Sequence, residues 1–210
     1  MSAIPRHLKI GLVLIGIAGV VSFGYFENVV GRIRSMVREP EKEAANPFVA
    51  STEPLFSSAD PPLAVKVFFP SVSSSSILSS EQRTIFKSSE LTNRAKQLLK
   101  LVIDGPLSKE LLGAIPKDAK LQEVFVSNDG VLFVDFSSAI SVNHPGGILN
   151  EQATIYSIVD SLLYNLPEVH QVKILIGGTE QETLAGHCLL LLPLDMDLSI
   201  TGDEEGAHAN

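Results

Sequence analysis

The residues that could perform catalysis are few and widely spaced. Four have the types of a hydrolytic triad: Asp135, Ser137, Ser138 and His187. The serines lack the Gly-x-Ser-x-Gly setting that exposes a nucleophile between a strand and a helix. A hydrolase would also require Asp135 or Ser137 to lie within hydrogen-bond reach of His187. Any domain of this size contains such a set, so the sequence favours a protein that is not an enzyme and leaves a hydrolase as the distant alternative.

The sequence offers no clear metal or cofactor site. None of the five histidines follows another at the spacing that puts two ligands on one helix face. His187 and Cys188 are adjacent, and neighbouring residues of a strand point to opposite faces. The pairs Gly146-Gly147 and Gly177-Gly178 lack the spacing of a phosphate loop or a dinucleotide fingerprint. We therefore predict no metal and no cofactor.

His187 has two open interpretations. Its imidazole could titrate near neutral pH or donate to a ligand, or it could bond a backbone carbonyl and fix the turn after Gly186. The amides that precede the second predicted helix could hold an anion. Glu151, in the first turn of that helix, more simply complements the helix dipole. Gly177-Gly178 are interpreted as turn residues with positive φ.

Hydrophobic periodicity predicts the elements that position these residues. The predicted strands cover residues 65–69, 82–86, 120–127, 131–136, 172–176 and 181–184. One helix begins near Ser88 or Ser89 and ends at Gly105-Pro106, and another begins near Asn150, its expected N-cap, and ends before Pro167. The second helix has a predicted buried face of Leu149, Ala153, Tyr156, Val159, Leu163 and Leu166. The order ββαββαββ predicts a single α+β domain with a mixed or antiparallel sheet and two helices on one face.

Residues 10–26 carry no charge and follow a short basic segment, residues 1–9. Because about twenty apolar residues cross a bilayer as a helix, we predict a transmembrane anchor. The alternative is a cleaved signal peptide, but residues 25–29 offer no small-x-small cleavage site. Two basic residues precede the apolar run and three follow it within residues 27–38, so the positive-inside rule gives a near tie on orientation.

The rest of the chain is predicted to contain a juxtamembrane segment with a proline-rich acidic linker (27–64), the domain (65–195) and a disordered acidic tail (196–210). Five basic residues and one acidic residue precede residue 39, which leaves 11 basic and 23 acidic residues after it, a charge of −12. Nucleic-acid binding needs clustered lysine and arginine, so this partner is excluded. Cys188 is the only cysteine and lies far from the start, which excludes an internal disulfide and a lipidated N-terminal cysteine.

Several short segments form a series along the predicted domain. They are Val67-Phe68-Phe69-Pro70, Leu101-Val102-Ile103-Asp104-Gly105-Pro106, Ala114-Ile115-Pro116, Val134-Asp135-Phe136-Ser137, Val172-Lys173-Ile174-Leu175-Ile176-Gly177-Gly178 and Glu182-Thr183-Leu184-Ala185-Gly186-His187. This series resembles the GerMN domain of sporulation and spore-germination proteins over nearly all of residues 65–188. The sequence departs from the family at Asp160, where asparagine is usual, and at Cys188, where the family continues towards an aspartate.

The resemblance implies a domain outside the cytoplasmic membrane of a bacterium, which favours the orientation of the predicted single-pass anchor with its N-terminus inside. It also implies a binding module of the envelope rather than a known reaction. The candidate ligand- or partner-binding residues are Gly177, Gly178, Glu182, Thr183, Gly186, His187 and Asp160.

Two functions of different classes remain open. A scaffold that binds envelope proteins or itself predicts an exposed apolar patch or a free sheet edge. A module for a small ligand or a cell-wall fragment predicts a polar concave pocket around His187, beside residues 183–187 and the serine-rich loop 71–80.

Overall fold

The computed structural model describes residues 60–74 and 76–202. The predicted anchor at 10–26, and the segments 1–9 and 27–59 on either side of it, lie outside these residues. Within the described part, no helix combines the length and the apolar character that a membrane crossing requires.

The described elements follow one another in an alternating α+β order. They are β1 (Pro62–Pro70), β2 (Leu78–Phe86), α1 (Leu91–Asp104), β3 (Leu121–Val126), β4 (Val131–Phe136), α2 (Ala139–Val142), α3 (Ile148–Asn165), β5 (Gln171–Ile176) and a 3-10 helix (Leu198–Ile200). The mixed α+β class predicted from the sequence is confirmed.

The strands form two sheets rather than the single sheet that was predicted. β1 and β2 form an antiparallel hairpin, with Pro62 opposite Phe86. β4 lies between β3 and β5; it pairs antiparallel with β3 and parallel with β5. A parallel pair requires a crossover connection, and α2 and α3 supply it.

α3 is the central helix and is buried almost all round. It packs against β1, β5 and α1, and a helix enclosed in this way has no single apolar stripe. The predicted buried face is therefore only partly correct, since Leu149 is half exposed and Tyr156 is only partly buried. Ile155, Ile158 and Leu162 join the main core instead.

Polar side chains of α3 cover the edge of β1 that does not face β2. The hydroxyl of Ser161 accepts a hydrogen bond from the Phe68 amide at 2.9 Å. The Asn165 side chain accepts from the Lys66 amide at 3.1 Å and donates to the Lys66 carbonyl at 2.7 Å. Buried backbone groups need partners, so α3 satisfies part of this edge as a neighbouring strand would.

The predicted final hairpin is wrong. β5 ends in a turn at Gly177-Gly178, whose φ angles are 63° and 75°, but residues 181–184 form no strand. The outer edge of β5 pairs instead with Leu194, through an isolated bridge to Val172. A short alternating segment does not show by itself which later segment reaches the sheet edge.

Smaller corrections concern the ends of elements. The N-cap of α3 is Gly147, and Asn150 lies inside the first turn, where its side chain donates to the Gly146 carbonyl. β1 begins inside the predicted linker and β2 begins four residues before the predicted strand. The predicted disordered tail begins with an ordered segment, which includes the 3-10 helix and extends to Gly202; residues 203–210 lie outside the described part.

Candidate functional site

A buried carboxylate organises the loop that carries His187. Glu151, in the first turn of α3, has no exposed surface. Its Oε2 accepts hydrogen bonds from the amides of Ala185 at 3.1 Å, His187 at 3.1 Å and Cys188 at 2.9 Å. Its Oε1 lies 2.7 Å from His187 Nδ1, which must donate because an ionised carboxylate only accepts. Four donors satisfy a charge that would otherwise be costly to bury.

These donors decide the charge of Glu151. Burial by itself would raise the pKa of the carboxyl group, but the Cys188 amide, the His187 imidazole and the other two amides together lower it from 4.5 to about 2. Glu151 is therefore a fixed anion around which residues 185–188 fold.

The Nδ1 atom of His187 bonds Glu151, which leaves the other ring nitrogen, Nε2, unconnected to this carboxylate. With Nδ1 donating to Glu151, the neutral imidazole carries a lone pair on Nε2, and the protonated ring carries a donor there. The side chain is 46% exposed. It lines a shallow, open depression together with Gly147, Ile148, Leu149 and Asn150. The ring is thus oriented, accessible and able to accept or donate one hydrogen bond.

Exposed aliphatic side chains lie near His187: Ile148 and Leu149 line the same depression, and Leu189 follows two residues later in the chain. Ile148 is 62% exposed, Leu149 50% and Leu189 63%. The Cys188 thiol lies 3.6 Å from the Ile148 carbonyl, which brings the loop against the first turn of α3 immediately before Leu189. We call Ile148, Leu149, His187 and Leu189 the loop–helix surface.

A buried lysine holds the segment that follows this surface. Lys173 on β5 is 3% exposed, and its Nζ donates to the carbonyls of Leu190 at 2.9 Å and Leu191 at 2.5 Å. Its Nζ also lies 3.4 Å from the Glu180 carboxylate. Leu190 is consequently held in the core, while its neighbours Leu189 and Leu191 remain exposed.

His144 fixes the turn before α3. Its Nδ1 accepts from the Gly146 amide at 3.0 Å, so the proton of the neutral ring is on Nε2. Nε2 then donates to the Thr154 hydroxyl at 2.9 Å, which donates to the Ala114 carbonyl at 2.6 Å. Burial lowers the pKa of His144, and the negative charge of Glu151 opposes this shift. The neutral ring therefore stabilises the turn.

The structure brings together some of the predicted site residues. Thr183 Oγ1 accepts from the Gly186 amide at 3.1 Å, in the same loop as His187. Glu182 is exposed, and its carbonyl accepts from the Leu190 amide at the base of this loop. These four residues are therefore neighbours, and their role in binding stays a prediction.

Three other predicted residues lie in different surroundings. Gly177 donates to the Phe136 carbonyl and Gly178 donates to Asp135 Oδ1, which makes them turn residues at the end of β5. Asp160 is nine residues beyond Glu151 on α3, about 13 Å along the helix axis. It is buried, and it accepts from the Asp197 amide.

The residues of the proposed triad bond elsewhere. Asp135 accepts from Gly178, Ser137 Oγ accepts from the Lys120 amide, and His187 is engaged by Glu151. Among the described residues, no three His, Cys, Asp or Glu side chains come together as a metal site would require. The serine-rich loop packs on another segment, since Val72 donates to the Glu110 carbonyl.

Glu151 is the site residue that the sequence analysis assigned only to the helix dipole. A signal for its role was present, because Glu151 lies four, seven and eleven residues before Ile155, Ile158 and Leu162. These spacings place an acidic residue in line with buried positions of the helix. A buried charge in such a line needs several hydrogen-bond donors, and residues 185–188 supply them.

The family model described as Germane, sporulation and spore germination, matches residues 66–182. The chain belongs to this family. The GerMN resemblance seen in the sequence is therefore confirmed, and the Germane match runs from the middle of β1 to the start of the His187 loop. A search of curated proteins found no significant match.

Two solved structures share the Germane fold. The tandem GerMN domains of the sporulation protein GerM from Bacillus subtilis align at 17% identity with a TM-score of 0.52, covering 66% of this chain and 47% of that one. The first GerMN domain of the same protein aligns at 19% identity with a TM-score of 0.51, covering 65% and 98%. This chain spans about half the length of the tandem structure. Identities this low establish the shared fold alone.

Proposed function

We propose that this Germane-family chain is a protein-binding module of the bacterial envelope, with its domain outside the cytoplasmic membrane and a role in sporulation or germination. The loop–helix surface carries the proposal, since two exposed aliphatic side chains line a depression with an oriented histidine and a third, Leu189, follows in the same loop. The uncharged segment 10–26 and the proline-rich linker support attachment to the membrane.

The rigidity of the surface favours a protein partner. Ordering side chains and loops at an interface costs free energy when a partner binds. Here Glu151 already fixes residues 185–188 through four hydrogen bonds. An apolar centre with one polar contact is also typical of the core of a protein interface.

The shape of the depression is less favourable for a small ligand. Small-molecule sites are concave and enclose most of the ligand surface. The depression beside His187 is open, and two of its five lining residues are exposed aliphatic side chains. A cell-wall fragment is therefore the alternative outcome of the test.

The test is site-specific photo-crosslinking of the full-length chain in its native membranes. A photoreactive residue at Leu189 should capture a discrete set of proteins, identified by mass spectrometry. Adding Leu149→Asp to this variant should reduce the captured amount at least about fivefold, because a charge in the apolar centre must be desolvated on binding.

The matched control carries the photoreactive residue at Leu107, which is 77% exposed in the loop after α1. It should capture little of the same proteins, and Leu107→Asp should leave capture at Leu189 unchanged. Capture of wall fragments alone, or equal capture from both positions, would overturn the proposal.

A further inference from the structure

The C-terminal segment, residues 195–202, folds back across α3 and β2. The Gly202 amide donates to the Leu78 carbonyl at 2.7 Å, and Thr201 forms a parallel bridge with Leu78. Ile200 packs on a small cluster formed by Phe68, Leu78 and Ala153, separate from the main core. The C-terminal segment therefore covers an apolar surface that its departure would expose.

A carboxyl group with few partners lies beneath this segment. Asp160 has no exposed surface, and its Oδ1 accepts from the Asp197 amide at 3.1 Å. Its Oδ2 has no hydrogen-bond partner among the described residues, and neither does the hydroxyl of Ser157 one turn earlier. A buried charge with one donor is costly, whereas Glu151 on the same helix has four donors.

We propose that Asp160 is a proton-controlled latch: the C-terminal segment docks while this carboxyl group is protonated and loosens when it ionises. This inference does not depend on the proposed binding function.

Within residues 60–74 and 76–202, no cation pairs with Asp160 to offset its charge when it ionises. Burial raises the pKa of Tyr156 on the same helix, and the nearby charges of Asp197, Asp160 and Asp195 raise it further. Among the described ion pairs, none includes Asp160. The charge that acts on Asp160 is that of Asp197, a residue of the docked segment, so ionisation of Asp160 adds repulsion at the docking contact.

The basic groups of the elements packed on α3 are engaged elsewhere. Lys66 of β1 lies over the Tyr164 ring, 5.2 Å from its centroid. Lys173 of β5 bonds the carbonyls of Leu190 and Leu191. On α1 the basic side chains pair as follows: Arg94 with Glu168, Lys96 with Glu123 and Lys100 with Asp104.

The direction of the pH effect follows from the two states of the latch. Burial raises the pKa of Asp160 from 3.8 to about 7; the Asp197 amide opposes this shift and the Asp197 charge adds to it. Release of the segment returns the carboxyl group to water and to its ordinary range. Between about pH 4 and pH 7 the docked state therefore binds one more proton than the released state. The equilibrium constant for release of the segment then rises about tenfold per pH unit in this range and levels off above pH 7.

Hydrogen exchange of the full-length chain, read by mass spectrometry between pH 5 and pH 7, tests the latch. After correction for the intrinsic pH dependence of exchange, the opening constant of residues 195–202 should rise about fiftyfold. Asp160→Asn keeps an acceptor oxygen but cannot titrate, so its rise should be less than about threefold. Asp195→Asn removes an exposed charge in the same segment and should keep the full rise.

Residues 131–136 of β4 serve as the internal reference for global unfolding. Their opening constant should not follow that of the C-terminal segment. A flat wild-type response, an undiminished rise in the Asp160→Asn variant, or a parallel rise in β4 would each overturn the proposal.

Discussion

Two carboxyl groups on α3 lack exposed surface but have opposite protonation behaviour. Glu151 accepts four hydrogen bonds and has a pKa of about 2, whereas Asp160 accepts one from a backbone amide and has a pKa of about 7. Burial raises both pKa values; the four donors outweigh it at Glu151, whereas the single amide at Asp160 does not. At neutral pH one helix therefore carries a fixed anion and a titrating group.

Replacing Glu151 should destabilise the domain. Glu151→Gln places an amide among donors that need an acceptor, and we expect the free energy of unfolding in urea to fall by about 3 kcal/mol. Glu182→Gln, at an exposed position near the same loop, should change it by less than about 0.5 kcal/mol. Equal effects of the two substitutions would contradict the central role of Glu151.

Glu151 also predicts a loss of stability in acid. Because its pKa is lower in the folded chain than its ordinary 4.5, the contribution is complete above about pH 4.5 and is lost as the pH falls towards 2. Urea denaturation at pH 5 and pH 3 should show that the wild type loses more stability than Glu151→Gln. An identical loss in both proteins would show that other groups cause it.

His144 should titrate below the ordinary histidine range. Protonation would place a proton on Nδ1, where the ring now accepts from Gly146, so folding favours the neutral ring. Its contribution to stability is then complete above about pH 6.5 and is lost as the pH falls through the lower folded value. Proton NMR of the His144 ring should give a midpoint below 6.5, and a midpoint at or above 6.5 would contradict the assigned hydrogen bonds.

At the scale of elements, α3 both closes the core and completes one edge of β1. Asn165→Ala removes two hydrogen bonds to the backbone of Lys66. We expect the free energy of unfolding to fall by about 2 kcal/mol. Asn150→Ala at the exposed start of the same helix is the matched control and should change it by less than about 0.5 kcal/mol. A similar small effect for both would show that the β1 edge does not depend on Asn165.

Sequence periodicity was sufficient to predict some of the helices and strands but not all of them. It predicted β4 at its observed bounds and both long helices, because local apolar repeats and the Asp129-Gly130 turn define them. It failed for residues 181–184, whose place beside β5 is taken by the Val172–Leu194 bridge. Pairing between distant segments depends on the whole fold, which a local pattern does not contain.

At the scale of the whole molecule, the proposal places the domain outside the cytoplasmic membrane. In a Cys188→Ser background, Leu107→Cys provides one exposed thiol. We expect a membrane-impermeant maleimide to label it in intact cells after the wall is removed. An added cysteine at position 3, before the apolar run, should be labelled only after lysis, and the reverse pattern would contradict the orientation.

The sequence by itself determined the family, the α+β class and His187 as a notable residue, because these depend on local motifs and spacing. The tertiary structure decided that Glu151 anchors the His187 loop, that Asp160 lies beneath the C-terminal segment and that exposed Ile148 and Leu149 line a depression with His187. The physical reason is that burial and hydrogen-bond partners come from residues 34 to 37 positions away along the chain. One sequence read locally does not show which distant donors will meet a given carboxylate.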